Sequence, residues 1–321
     1  MLNLSQSTRS ALCFFVAALY AALFLLFPME GVNDRVNYLE MAEVSPLIFA
    51  RYLGAGVLSV LTNEPVWLGV NSVLGLLLPA ENVVQIIIFF SAFTTAYLLL
   101  KHNPKAFWFL LFVLFVPQVA KNFIIHIRQG MGIAVFLMAW YSTRPKLRLL
   151  LFLMAPMVHS SFFIVLAVLL ACYVLKKIRF AFDLRIIAYA AAGIFFGVGL
   201  PFVSKLLGAR QSETLLSEHE AGGSGVALLV WALLLGFYLM QGRTYLRQHS
   251  FSIAMIILYL LVYFVSPVAG RVFESALPLI LTSMFYLTSW RRLGAVSLFT
   301  MFSVLLMISH LGQPMLGFAE P

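Results

Sequence analysis

The chain has 321 residues, of which 62% are hydrophobic and only 10% are charged, and its mean hydropathy is +0.99. A soluble domain does not carry so much apolar surface, whereas a membrane protein with many spans does. The formal net charge of +9 does not indicate nucleic-acid binding, because the basic residues cluster in short loops, as is typical of the cytoplasmic turns of a membrane protein.

Apolar stretches recur along almost the whole chain and predict one all-α membrane domain, residues 1–321, a polytopic helix bundle with about 10–13 spans of roughly 20 residues. The first stretch lacks a small-residue cleavage pattern, so we expect a retained span and not a signal peptide. The segment 46–62 either spans the membrane or lies on its outer surface. The other predicted spans are 10–28, 64–80, 82–100, 106–120, 128–142, 147–158, 159–175, 183–201, 223–241, 250–266, 272–289 and 294–310.

With the N-terminus placed inside, two loops fall on the outer face, residues 29–45 and 203–222. The first is acidic and contains Asp34, the best placed carboxylate for acid–base chemistry, with Tyr38 one helical turn away. A solvated loop acid is the alternative interpretation of Asp34. The second loop contains Arg210, a candidate substrate-binding residue, and its acidic residues match no spacing of metal ligands. We therefore expect no metal site.

The stretch KNFIIHIRQGMG, residues 121–132, places polar side chains between two apolar runs near the predicted outer face. Arg128 is expected to begin a helix, whose N-terminus carries partial positive charge and free N–H groups, so this position favours an anion. Lys121 lies on the same face if the helix continues through it. Gln129 is expected to point inward from the same place, and His126 either caps a turn or touches substrate. The alternative for Arg128 is an interfacial arginine that extends to lipid headgroups.

Two further polar residues lie where the apolar pattern breaks. His159 follows Pro156 between two short predicted helices, where it could act as a general base, a proton shuttle or a phosphate donor. Its alternative is a buried histidine that donates to a carbonyl freed near the proline. Arg271 follows the stretch SPVAG, and a charge at a broken helix usually lines a cavity. The alternative is a simple pair with Glu274, three residues on.

Three patches in chain order resemble the EpsG family of bacterial polysaccharide polymerases, relatives in role of the Wzy-type O-antigen polymerases. Asp34 and Tyr38 match its D-x-x-x-Y element, and EPVWLGVN at 64–71 matches an E-P followed by apolar residues. IRQGMGIAVFLMAW, RPKLR and APMVHSS match an R-Q that opens a helix, a basic turn and an A-x-x-x-H-S stretch, and AGRVFESALPLI supplies a late arginine. The chain departs from the family at Arg35, where an aromatic residue is common, and in the short loop 203–222.

The resemblance implies a membrane-embedded glycosyltransferase of the GT-C type that joins undecaprenyl-diphosphate-linked oligosaccharides on the periplasmic face of the bacterial inner membrane. The implied partners are the lipid-linked donor and acceptor, the lipid bilayer and a regulator of chain length, without nucleic acid, cofactor or metal. Cations near Arg128 would hold the diphosphate as charge grows on its leaving oxygens. The expected catalytic residues are Asp34 and His159, and the expected substrate-binding residues are Tyr38, Lys121, His126, Arg128, Gln129, Arg210 and Arg271.

Two questions stay open at the level of sequence. The first is the base: Asp34 can move with the acceptor in its loop and is slightly favoured, with His159 orienting the diphosphate or the acceptor. The second is the function class, because a transporter or flippase of an anionic lipid-linked saccharide would use the same cations along a pathway. A transporter needs polar residues from face to face, and the inner halves of the predicted spans carry few, so the sequence favours the polymerase.

Overall fold

The computed structural model describes residues 5–32, 34–181, 184–192, 195, 225–264, 268–313 and 318. These residues form helices and no β-strand, and the predicted all-α membrane helix-bundle class is confirmed. The helices pack into two compact units, residues 1–160 with 306–321, and residues 161–305. The single domain expected over 1–321 stays a prediction.

The first unit is built around one long helix, α5, which packs against α1, α2 and α8. Its buried side chains are mostly Val, Ile, Ala and Leu, so it forms the apolar centre of the unit. The helices of this unit are α1 (Gln6–Leu25), α2 (Arg35–Gly54), α3 (Val57–Thr62), α4 (Pro65–Gly75), α5 (Ala80–His102), α6 (Phe107–Phe115), α7 (Pro117–Ile124), α8 (Ile127–Tyr141) and α9 (Pro145–Val158), with a 3₁₀ turn at Pro104–Ala106.

The second unit contains α10 (Ser161–Lys177), α11 (Gly225–Leu239), α12 (Arg243–Gln248), α13 (Ser250–Val262), α14 (Val268–Phe285) and most of α15 (Ser289–His310), and residues 184–192 are also helical. Here α13 packs against α11 and α14. Tyrosine hydroxyls tie the helices together inside the apolar core: Tyr238 donates to the Ile280 carbonyl oxygen at 2.7 Å, and Tyr245 donates to that of Ser283 at 2.8 Å. These bonds satisfy polar groups that burial would otherwise penalise.

Three of the described helices, α1, α5 and α15, are long and apolar enough to cross a membrane. A fourth span results if Pro104–Phe115 and Pro117–Ile124 are taken together, although the pair is bent by 62°. The predicted span 106–120 falls within this pair, which is bent and continues to Ile124. Val116 has extended backbone and Pro117 opens the next helix, as expected where a proline lacks its N–H and disfavours helix before it. The predicted number of about 10–13 spans stays a prediction.

Several predicted boundaries differ from the observed helices. Helix α2 begins at Arg35, so most of the predicted loop 29–45 is helical. Segment 46–62 does not form one helix, because it divides between α2 and α3, and the predicted span 64–80 stops at Gly75. Polar and charged side chains along α2 had suggested a loop, but its helix is held by packing against α4 and α5.

Arg35, the residue that departs from the family pattern, is fully buried and joins two helix ends. Its Nε donates to the Ile124 carbonyl oxygen at 3.0 Å, where α7 ends. The rest of the guanidinium donates to the carbonyl oxygens of Phe24 and Phe27, where α1 ends. Burial lowers the pKa of Arg35 to about 10, which leaves it charged at neutral pH. A cation suits these positions, because helix C-termini carry partial negative charge and unpaired carbonyls.

Candidate functional site

Glu64 is the centre of the candidate site, and its backbone is unusual. It precedes α4 as the N-cap, with φ 56° and ψ 55°, the left-handed region that non-glycine residues rarely adopt. Its side chain is only 7% exposed. A buried acid in a backbone conformation that costs about 1–3 kcal/mol persists only where its surroundings hold it, and such positions cluster at functional sites.

The Glu64 carboxylate is held by three donors, all within the first unit. Its Oε2 accepts from Nη1 of Arg128 at 2.7 Å. Its Oε1 lies 3.1 Å from Nδ1 of His159 and accepts from the backbone N–H of Ser160 at 3.1 Å. Arg128 comes from the first turn of α8, and His159 is the C-cap of α9. The carboxylate therefore brings the start of α4, the start of α8 and the end of α9 to one place.

The Glu64 carboxyl group is ionised although it is buried. Glu64 lies outside the helices that are long enough to span a membrane. Burial by itself raises the pKa of this carboxyl, but the Arg128 charge and the hydrogen bonds from His159 and Ser160 outweigh it and hold the pKa well below its usual range. At neutral pH Glu64 is therefore an ionised group that only accepts hydrogen bonds.

Arg128 begins a helix, as predicted, since α8 starts at Ile127 with His126 as its N-cap. The guanidinium is 25% exposed and packs over the ring of Tyr38, with Cζ 5.9 Å from the ring centroid. Arg128 binds a buried carboxylate. This contact disfavours the alternative interpretation, in which Arg128 is an interfacial arginine that extends to lipid headgroups. Nε of Arg128 is buried and has no hydrogen-bond partner among the described residues. The guanidinium thus retains donor capacity beyond Glu64.

A second unsatisfied donor lies beside Tyr38. The ring of Trp67, from α4, meets Tyr38 edge-on with the centroids 5.7 Å apart, and this tryptophan is 1% exposed. Its Nε1 also has no hydrogen-bond partner within the part of the chain that the structure describes. Buried polar atoms are nearly always paired, so each exception needs an explanation. Trp67 Nε1 and Arg128 Nε are both hydrogen-bond donors. A ligand with several acceptor oxygens would supply the partners that these two atoms lack.

Gly130 fixes the position of Arg128 through a close contact between α7 and α8. A Cβ at Gly130 would lie 2.1 Å from the backbone oxygen of Asn122, so only glycine permits this approach. Between the two helices, the backbone N–H groups of Ile125 and His126 both donate to the carbonyl oxygen of Lys121. The helix of Lys121 therefore ends at Ile124, before the next helix begins at Ile127, so the condition for Lys121 and Arg128 to share one helical face is not met.

Asp34 and His126 form a second, more exposed pair. Asp34 Oδ2 lies 3.9 Å from Nδ1 of His126, and the Asp34 side chain is 49% exposed. Asp34 is the N-cap of α2 with φ 62°, and its backbone oxygen accepts from the N–H of Tyr38 at 3.2 Å. Tyr38 is thus one helical turn from Asp34, as predicted. His126 occupies the N-cap position of α8, but its side chain makes no capping hydrogen bond.

The remaining predicted residues lie in different places. Gln129 is 2% exposed, which agrees with its expected inward direction. Arg271 belongs to the second unit and lies in the first turn of α14, which begins at Val268 after α13 ends at Val262, and its role in binding substrate stays a prediction. Arg210 and the loop 203–222 lie outside the described residues.

Sequence reasoning places His159 at a helix end but does not identify its partner. The predicted break between two helices is confirmed, since α9 ends at Val158 and α10 begins at Ser161. The alternative interpretation is a buried histidine that donates to a freed backbone carbonyl. In the structure the partner of the His159 ring is the Glu64 carboxylate instead. In the sequence, Glu64 stands out only as part of EPVWLGVN, the stretch similar to the E-P element of the family. The sequence does carry one signal for Glu64 as a site residue: it is a lone acid between apolar runs, and such acids are usually functional.

Gly130→Ala is expected to destabilise the protein by about 1–3 kcal/mol, because the new methyl group meets a backbone oxygen that cannot rotate away. Thermal unfolding of the detergent-solubilised protein measures the effect. Gly236→Ala, inside α11, is the matched control, since a Cβ there has nothing within 4 Å and alanine is the better helix former. Unfolding at the same temperature for both variants would contradict the close contact between α7 and α8.

Comparisons with known proteins address the chain as a whole. Neither the curated proteins nor the solved structures include a match. The EpsG family model, in contrast, matches residues 11–315. The matched region contains Glu64, Arg128 and His159, the whole of the second unit and most of the first. The chain therefore belongs to the EpsG family.

Proposed function

We propose that this protein is a membrane glycosyltransferase that polymerises undecaprenyl-diphosphate-linked oligosaccharide repeat units on the periplasmic face of the bacterial inner membrane. Membership of the EpsG family supports the class of reaction. The observation that carries the chemistry is Arg128, a cation at the first turn of a helix, oriented by a buried carboxylate and with an unsatisfied Nε. In this proposal the partners are the lipid-linked donor and acceptor, the bilayer and a regulator of chain length.

Transfer of a sugar from a lipid diphosphate breaks the bond between the anomeric carbon and a diphosphate oxygen. Negative charge grows on the diphosphate as that bond lengthens, so a fixed cation stabilises the transition state more than the ground state. The planar guanidinium of Arg128 suits this task, because its fork bonds two oxygens at once. The N-terminus of α8 adds partial positive charge at the same position. This scheme assigns to arginine the charge stabilisation that a metal ion supplies in other transferases.

Glu64 keeps the Arg128 guanidinium in place before the donor arrives. An arginine that is already held needs little reorganisation when charge develops beside it. Arg128 donates to Glu64 through Nη1, and its Nε is buried and has no partner among the described residues. In this proposal a diphosphate oxygen takes up that donor once the donor substrate has opened the covered edge of the guanidinium beside Tyr38. Tyr38 and Trp67 form the aromatic wall beside this position. Asp34 and His126 supply exposed polar groups for the sugar portion of the donor or acceptor.

Arg128→Lys is expected to lower the rate of chain extension at least 100-fold, the order of effect seen when one donor to a developing oxyanion is removed. Lysine keeps the charge but loses the planar fork. The measurement is extension of a lipid-linked acceptor by purified protein in liposomes, with product length read on gels. Arg51→Lys, an exposed position on α2, is the matched control.

Near-normal extension by Arg128→Lys would contradict the role of the planar guanidinium fork.

The same liposomes distinguish a polymerase from a flippase. Movement of the lipid-linked saccharide across the bilayer without any chain extension would support the flippase and contradict the proposed transferase.

Labelling of introduced cysteines tests which face is active. In a background without Cys13 and Cys172, Asp34→Cys is expected to react with a membrane-impermeant thiol reagent added to intact spheroplasts. Lys146→Cys, in the basic turn at the start of α9, is expected to react only after the membrane is opened. Both positions are exposed, so accessibility within the protein does not distinguish them. Labelling of position 146 alone would invert the topology and place the site on the cytoplasmic face.

A further inference from the structure

The Glu64 carboxylate holds His159 through two contacts, one to the imidazole ring and one to the backbone of the next residue. His159 has extended backbone at φ −149° and ψ 124°, and its N–H donates to the Ala155 carbonyl oxygen as α9 ends. Its ring nitrogen Nδ1 lies 3.1 Å from Oε1 of Glu64, and the N–H of the next residue, Ser160, donates to that same oxygen. The other oxygen, Oε2, is taken by Arg128. Because both carboxylate oxygens are held, the group cannot rotate away from the imidazole.

This contact determines where the imidazole carries its proton. An ionised carboxylate offers only acceptor positions, so the Nδ1 atom that faces Glu64 Oε1 must carry a hydrogen. In a neutral imidazole the other nitrogen, Nε2, then presents a lone pair. When Nε2 takes a proton, Glu64 stabilises the resulting imidazolium through the same bond. Carboxylates orient catalytic histidines in this way in hydrolases with a Ser-His-Asp triad.

We propose that Glu64 is a positioning residue that holds His159 with its proton on Nδ1, so that Nε2 of His159 is the atom that accepts the proton of the acceptor hydroxyl. This inference rests on the proposed function. In the step, the acceptor O–H bond breaks and the proton passes to Nε2, while the oxygen forms a bond to the anomeric carbon of the donor. The bond from that carbon to the diphosphate breaks, and its electron pair leaves with the diphosphate beside Arg128. The imidazolium then returns its proton to water.

The geometry favours His159 over Asp34 as the proton acceptor. Asp34 is half exposed, His126 lies 3.9 Å away, beyond hydrogen-bond distance, and Asn37 donates to it only through a long bond of 3.4 Å, so Asp34 is held more weakly than His159. His159 is 8% exposed and is oriented by an ionised partner. A base fixed by a second group is more effective than a mobile one, because the reacting atoms must meet in a narrow range of distance and angle.

Glu64→Gln tests the inference directly. Glutamine has one acceptor oxygen, which cannot serve both Arg128 and the pair formed by His159 and Ser160, and its NH₂ group faces a donor in either orientation. We expect kcat for chain extension to fall about 100-fold or more, in the range typical of general-base catalysis, with a smaller change in KM for the acceptor. Glu64→Asp keeps two acceptor oxygens and should recover part of kcat. Glu81→Gln, an exposed acid in the first turn of α5, is the matched control.

A spectroscopic readout is independent of chain extension. In protein labelled with ¹⁵N-histidine, solid-state NMR distinguishes the two neutral tautomers, and the His159 signal is assigned by its loss in His159→Gln. We expect the Nδ1–H tautomer in the wild type and its partial or complete loss in Glu64→Gln. The Nε2–H tautomer in the wild type would overturn the inference even if a variant failed to fold.

The failures of the two proposals are distinguishable. A wild type that does not extend chains contradicts the proposed function, whatever the NMR shows. A wild type that extends chains, together with a Glu64→Gln variant that keeps its kcat, overturns the role of Glu64 while leaving the polymerase intact. Loss of kcat in Glu64→Gln with no recovery in Glu64→Asp and an unchanged His159 tautomer would also overturn it, since that pattern reflects a structural role alone.

Discussion

A carboxylate buried in an apolar protein is stable only where donors surround it, and most of the candidate site follows from how this condition is met at Glu64. Arg128 and His159 are 64 and 95 residues away in sequence, yet both contact the same carboxylate. Removal of one partner from such a cluster typically costs about 3–5 kcal/mol, because a charge is left buried and unpaired. The cluster therefore fixes where α4 and α8 begin and where α9 ends.

The main chain around the cluster is shaped to bring these residues together. Glu64 adopts the left-handed backbone region, which turns its side chain towards α8 and α9 immediately before α4. Gly130 allows α8 to approach the Asn122 carbonyl of α7 more closely than any other residue would permit. Arg35 joins the ends of α1 and α7 on the adjoining side of the unit. Rigid support of this kind is what a site that stabilises transient charge requires.

The sequence predicts the local features of the site better than its long-range ones. Helix ends at Arg128 and His159 could be read from polar residues and proline within apolar runs, and both are observed. The contacts of Arg128 and His159 with Glu64 could not be predicted, because hydropathy and spacing carry no information on pairs so distant in sequence. The charged side chains at the start of α2 predict a loop, because they mask a helix whose stability comes from tertiary packing. The apolar run 106–120 predicts a span, but its hydropathy carries no information on the bend that Pro117 introduces.

The central claim is that Glu64 and His159 act as one unit in the transfer step. A double-mutant cycle measures this most directly, with kcat for chain extension determined for wild type, Glu64→Gln, His159→Gln and the double variant under saturating lipid-linked donor. Because Glu64 also holds Arg128, we expect the double variant to be slower than His159→Gln alone, but clearly faster than the product of the two single losses predicts. Losses that multiply, so that the double variant is slower by the product of the two single effects, would show that the residues act independently and would contradict the account.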